Sequence, residues 1–73
     1  MNSKERLDMI QFVSQLLRYL RDNGDIPPYN PLELPDICEY IVDNKLAFAP
    51  GEANVAYLVI DGYHEFRRTH KEP

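Results

Sequence analysis

The chain has 73 residues, a length that allows one small hydrophobic core and leaves no room for a second. At 44% hydrophobic and 27% charged residues it is too apolar for a disordered chain. Its longest apolar run, residues 55–60, is far below the ~20 residues that a membrane-spanning helix needs. We therefore expect one soluble domain over residues 1–73, with a frayed tail at 70–73.

The acidic residues are concentrated in the middle of the chain. The net charge is −4, but residues 24–65 alone carry eight acidic side chains against one lysine. Nucleic-acid binding needs a basic surface that displaces phosphate counterions, so this distribution argues against a direct nucleic-acid partner. It suits a basic protein partner. The single cysteine, Cys38, cannot form an intramolecular disulfide, and a lone thiol is typical of a reducing compartment, so we expect a cytoplasmic protein.

The first predicted element is an amphipathic helix over residues 7–20. Asn2 and Glu5 have the spacing of a capping box, and Asn23-Gly24 provides a left-handed stop. One half of the helical wheel collects the apolar side chains Met9, Ile10, Phe12, Val13, Leu16, Leu17, Tyr19 and Leu20.

The stretch GDIPPYNPLELP, residues 24–35, holds four of the six prolines. Asn30 precedes Pro31, which is the arrangement of a cap and a first helical residue, and it predicts a short turn at 31–34. A second helix is expected from Pro35 or Asp36 to about Asn44, with an inner face of Ile37, Cys38 and Ile41. We interpret the stretch as a structured corner, onto which Ile26, Tyr29 and Leu32 pack. The alternative is a P-x-x-P ligand at residues 28–31.

The third element is predicted as a helix from about Glu52 to Thr69. Residues 55–60 have the composition of a strand, but at the helical period the apolar side chains of this segment share one face. Gly62 lies on that face and predicts a close approach to another helix, while Phe48 is expected to fill the core. The fold class is therefore all-α, a small three-helix bundle. The alternative is two helices followed by a β-hairpin, 46–49 against 55–60, as in a winged helix.

No motif indicates catalysis or a metal centre. His64-Glu65 begins like the zinc motif H-E-x-x-H, but Arg68 stands where the second histidine belongs. No Gly-rich phosphate loop or G-x-S-x-G motif is present, and a three-helix domain of this size rarely encloses a catalytic pocket. We expect no enzymatic activity, no cofactor and no metal.

The candidate functional residues lie on the second helix and at one position of the third. Asp36, Glu39 and Asp43 are spaced i, i+3 and i+7, which predicts one exposed stripe, here called the acidic stripe. Glu33 precedes the stripe and Tyr40 lies beside it, and Tyr57 is predicted on the polar side of the third helix. Because tyrosine is enriched at the centre of interfaces, these six residues are the predicted protein-binding site.

In size, charge and compactness the chain resembles the small acidic host-takeover proteins of lytic bacteriophages, among them those that bind bacterial RNA polymerase. The resemblance implies a regulator that occupies a surface of the polymerase and alters transcription without catalysis. Two further hypotheses stay open. One is a homo-oligomer, such as a homodimer, that buries its surplus apolar surface between copies. The other is a winged-helix DNA-binding module. The last requires the hairpin and conflicts with an acidic second helix.

Overall fold

The first helix, α1, spans Ser3–Asp22 in a computed structural model that describes residues 2–47 and 54–70. Its N-terminus is capped as predicted: Asn2 Oδ1 accepts a hydrogen bond from the backbone N–H of Glu5 at 2.8 Å. The Asn2 side-chain amide also donates to Glu5 Oε1 at 3.4 Å. A cap of this kind supplies an acceptor to a backbone donor that the helix itself cannot satisfy.

The C-terminus of α1 is a left-handed stop, also as predicted. Gly24 has φ +82°, a conformation that costs glycine little because it has no Cβ. The N–H of Gly24 donates to the carbonyl of Arg21 and the N–H of Asp25 donates to that of Leu20. These two bonds make a Schellman motif, which satisfies the last carbonyls and turns the chain towards the corner.

The proline-rich stretch is a structured corner, and its short helical turn is a 3₁₀ turn, Pro31–Glu33. Asn30 Oδ1 accepts from the N–H of Leu32 at 3.0 Å, so Asn30 is the predicted cap. Ile26 and Tyr29 are buried as expected. The prediction for Leu32 was wrong, because this side chain is 86% exposed. Residues two apart in a helical turn face opposite sides, and Leu34 takes the inward position instead.

The second helix, α2, spans Leu34–Ile41, and a π-helical turn continues it over Val42–Leu46. The N–H of Ala47 donates to the carbonyl of Val42 at 2.8 Å, which is the i to i+5 bond of a π turn. The predicted inner face is confirmed, since Ile37, Cys38 and Ile41 are all buried. The helix begins slightly earlier than expected, and the π turn occupies the predicted last residues.

The third segment is helix α3, Val55–Thr69, so the hairpin alternative was wrong. Asn54 caps it by accepting from the N–H of Tyr57 at 3.2 Å. The inner face carries the buried residues Val59, Gly62, Tyr63 and Phe66. The predicted start near Glu52 and the predicted core position of Phe48 lie outside the described residues. So does most of the predicted frayed tail, but the His70 ring stacks on Phe66 with centroids 4.3 Å apart.

The described residues form three α-helices and no strand, and α2 packs against both α1 and α3. The fold is therefore the predicted all-α three-helix bundle. The predicted close approach at Gly62 is confirmed: a Cβ placed there would lie 2.9 Å from Ile41 Cγ1 and 3.1 Å from Lys45 Cγ. None of the helices in residues 2–47 and 54–70 is both long and apolar enough to span a membrane.

The corner is attached to the bundle through two tyrosines. The rings of Tyr29 and Tyr63, both buried, lie with centroids 6.4 Å apart. The guanidinium of Arg21 on α1 lies 5.3 Å from the Tyr29 ring centroid, and that of Arg67 on α3 lies 5.7 Å from the Tyr63 ring centroid. Cations over aromatic faces are attracted by the ring quadrupole. Both flanking helices thus contribute a side chain to this cluster.

Candidate protein-binding surfaces

The acidic stripe of α2 is exposed, as its spacing predicted. Asp36, Glu39 and Asp43 all have exposed side chains on the outer surface of α2 and its π-helical extension. A basic residue of α1 reaches this stripe. The Arg6 guanidinium donates to both carboxylate oxygens of Asp43, at 3.0 and 2.9 Å, and lies 3.9 Å from Glu39.

This ion pair changes the electrostatics of the stripe. The two hydrogen bonds from Arg6 hold the pKa of Asp43 below its ordinary value, and the same bonds raise the pKa of Arg6. Asp43 is therefore a negative charge already matched by a positive one. Among the described residues Asp36 forms no ion pair, and Glu39 has only the distant one to Arg6. Asp36 and Glu39 are therefore the exposed carboxylates of the stripe that no close basic side chain of the described residues neutralises.

Glu33 is directed into the molecule. Arg67 of α3 donates to Glu33 Oε2 at 2.8 Å, and the Glu33 side chain is three-quarters covered. The pair fastens the corner to α3, close to the Tyr29–Tyr63 cluster. Glu33 therefore lies apart from the outward carboxylates, and its contact stabilises the fold.

Tyr40 is held between α2 and α3. Its hydroxyl donates to Glu65 Oε1 at 2.7 Å, and its ring meets Phe66 edge-on with centroids 5.8 Å apart. Lys45 binds Glu65 and also Asp61, at 3.2 Å. The Lys45 bond, followed by the Tyr40 bond, lowers the pKa of Glu65, and the bond to Glu65 raises the pKa of both Tyr40 and Lys45. This polar cluster clamps the π-helical turn onto α3.

Tyr57, the predicted site residue on the third helix, projects into solvent. It is 71% exposed and lies on the side of α3 opposite the core, near one end of the helix. Asp61, one turn further on, is exposed, and so are His64 and Arg68 on the same side. The prediction that Tyr57 lies on the polar side of the third helix is confirmed.

Two apolar side chains of α1 are exposed although the wheel placed them on the apolar half. Phe12 is 46% and Tyr19 is 63% exposed, while Leu16 between them is half-buried. The spacing i, i+4 and i+7 puts the three on one line along the helix, here called the α1 ridge. The helices that cover α1 reach only the centre of its apolar half, around Val13, Leu17 and Leu20. Phe12 and Tyr19 lie at the edge of the apolar half of the helical wheel, and this position could have predicted their exposure.

A groove of about 480 Å³ lies between α1 and the start of α2. Its lining, not predicted as a site, consists of Ile10, Gln11, Ser14, Gln15, Arg18, Pro31, Leu34, Pro35 and Cys38. Burial raises the pKa of the Cys38 thiol to about 11, an effect that Ser14 partly offsets. The thiol is therefore a small neutral part of the core, as its predicted place on the inner face of the second helix indicated.

The described residues contain no group of three or more His, Cys, Asp or Glu side chains able to hold a metal ion. Comparisons with protein-family models, with curated proteins and with solved structures found no match to this chain.

Proposed function

We propose that this chain is a non-enzymatic, cytoplasmic protein-binding regulator that inhibits or redirects a larger host machine, with bacterial RNA polymerase as the favoured target. The observation that carries the proposal is the exposure of large apolar side chains on an otherwise charged surface. They occur on α1, on the corner and on α3, as Leu7, Phe12, Tyr19, Leu32 and Tyr57. Exposed aromatic side chains are the residues that contribute most to protein–protein contacts.

Charge decides which kind of partner fits the α2 surface. Asp36 and Glu39 face outward from α2, and the middle of the chain carries a strong excess of acidic residues. A basic surface on the partner would be attracted over the screening length of the solution, about 10 Å at 0.1 M salt. Glu33, Tyr40 and Asp43 already bind side chains of the same chain, so our proposal places the contact with the partner at Asp36 and Glu39.

The proposal is tested by affinity capture from bacterial extract, washed at two salt concentrations, with the retained proteins identified by mass. We expect RNA polymerase subunits to be retained, and to be retained less at the higher salt concentration. The double variant Asp36→Asn/Glu39→Gln should lose them. The matched control Asp8→Asn/Asp25→Asn removes two other exposed carboxylates and should retain them.

Equal retention by both double variants would contradict the α2 surface as the binding site. Absence of polymerase subunits from the wild-type capture would contradict the target. Circular dichroism of each variant confirms that its helices are intact, so that lost capture reports the surface and not the fold.

A homo-oligomer is the second candidate, and the α1 ridge favours it. Phe12, Leu16 and Tyr19 present a continuous apolar line that two antiparallel copies of α1 could share. Sedimentation at micromolar concentration tests this: a dimer that Phe12→Ser/Tyr19→Ser converts to a monomer supports it. A monomeric wild-type protein excludes it.

A further inference from the structure

The groove between α1 and α2 combines apolar walls with a polar rim. Ile10 of α1 faces Leu34 and Pro35 at the start of α2, and Pro31 belongs to the corner. Proline and aliphatic side chains cannot hydrogen-bond an occupant, so these walls suit an apolar group.

The polar rim lies on α1. Gln11, Gln15 and Arg18 follow one another along the helix at spacings of four and three residues, and all three are exposed. Arg18 is the one charged residue of the lining, and within the described part of the chain it forms no ion pair. The other arginines of α1 do: Arg6 binds Asp43 and Arg21 binds Asp22.

The size of the groove limits what can occupy it. A volume of about 480 Å³ lies within the range of ~300–1,000 Å³ that is usual for ligand sites. It accommodates one or two side chains of a peptide together with their backbone. The glutamine amides can donate to and accept from a peptide backbone, and a guanidinium presents a planar pair of donors that matches a carboxylate.

We propose that this groove binds a short segment of the partner protein in which an aliphatic side chain adjoins a carboxylate. The aliphatic side chain lies between Ile10 and Leu34, and the carboxylate pairs with Arg18. This inference rests on the proposed protein-binding function and adds a second contact, of opposite charge to the outward carboxylates of α2. A partner recognised in this way has an acidic segment next to its basic surface.

The test is a titration of the ¹⁵N-labelled protein with acetyl-Leu-Glu-Leu-amide, followed by NMR. We expect shifts of the backbone amides that line the groove, at Gln11, Ser14, Gln15, Arg18 and Cys38. The matched probe acetyl-Leu-Gln-Leu-amide lacks the charge and should bind about two- to fivefold more weakly, the usual range for an exposed ion pair.

Two variants distinguish a specific contact of Arg18 with the peptide carboxylate from a general effect of the protein's net charge. Arg18→Gln should remove the difference between the two peptides, whereas Arg68→Gln, which neutralises an exposed arginine of α3, should preserve it. The proposal is overturned if the groove amides do not shift, if both peptides bind equally to the wild type, or if decanoate shifts the same amides more strongly than either peptide. The last result would assign the groove to a free fatty acid.

Failure of this inference is distinguishable from failure of the proposed function. If Arg18→Gln captures RNA polymerase as well as the wild type does, while Asp36→Asn/Glu39→Gln does not, the groove contact is overturned and the regulator proposal stands. If no polymerase is captured by any form, the polymerase target fails, and the peptide titration still decides whether the groove binds an aliphatic segment with a carboxylate.

Discussion

Arg6 and Asp43 lie 37 positions apart in the sequence and are joined by two parallel hydrogen bonds, from Nε to Oδ1 and from Nη2 to Oδ2. The pair links the first turns of α1 to the π-helical turn that follows α2. It also neutralises one charge of the acidic stripe. In the sequence pattern alone, the three carboxylates of the stripe looked equivalent. An arginine and a carboxylate in this bidentate geometry are fixed in orientation as well as attracted.

A double-mutant cycle should reveal this pair as coupled. We expect Arg6→Gln and Asp43→Asn each to lower the urea midpoint of unfolding, and the double variant to lower it little more than either single one. The coupling should shrink as salt is added, because both side chains are accessible to solvent and to its ions. Additive effects of the two substitutions would show that the two side chains do not stabilise one another.

The free energy of unfolding should fall as the pH is lowered, and protonation of Glu65 should account for part of this loss. Because its pKa is lower in the folded protein than its ordinary 4.5, its contribution is fully present above that value. The contribution is lost as the pH falls through the lowered pKa of the folded state. The Glu65→Gln variant should therefore be less stable than the wild type at neutral pH. It should also lose less stability than the wild type when the pH is lowered. Both differences are measured as urea midpoints of unfolding. Asp36→Asn controls for net charge, and a Glu65→Gln curve parallel to that of the wild type would refute the assignment.

Gly62→Ala should destabilise the bundle. The added methyl would lie 2.9 Å from Cγ1 of Ile41, a side chain that is fully buried in the core. Overpacking typically costs about 1–3 kcal/mol, and the better helix propensity of alanine offsets about 1 kcal/mol of it. We expect a net loss of up to about 2 kcal/mol in urea unfolding. His64→Ala on the exposed side of α3 should change stability by less than about 0.5 kcal/mol. A Gly62→Ala protein as stable as the wild type would mean that the helices do not approach closely there.

Cys38 should be inert towards thiol reagents while the protein is folded. It is almost fully buried, and with a pKa of about 11 only about one molecule in a thousand is a thiolate near pH 8. Labelling by a disulfide reagent should therefore be slow in buffer and fast in denaturing urea. Equal rates in the two conditions would show that the core around α2 opens readily.

The features that could be predicted from the sequence depend on residues close to one another in the chain. Asn2 with Glu5, Gly24 after Asn23, and Pro31 after Asn30 each act within one helical turn. Their backbone geometry therefore follows from local chemistry. Gly62 was recognisable for a related reason, since a glycine on the apolar face of a helix has no side chain to bury and so marks a close neighbour. These signals were enough for three helices and their order.

The partners of individual charged and polar side chains could not be predicted from the sequence in the same way. Glu33 binds Arg67, and Tyr40 binds Glu65, across 34 and 25 positions of sequence. Which partner a long side chain reaches depends on how the helices are rotated and shifted against one another, and helix periodicity does not contain that information. The pattern correctly placed the acidic stripe of α2 on the surface, yet Asp43 was already bound by Arg6.

The Tyr29–Tyr63 contact gives the molecule an optical reporter of its own. The chain contains no tryptophan, so its near-ultraviolet signal comes mainly from its five tyrosines, and this buried pair joins the corner to α3. Any event that lifts the corner from the bundle must separate the two rings and admit water to them. Such an event is therefore visible in the near-ultraviolet circular dichroism of the unlabelled protein, even where the helical content stays constant.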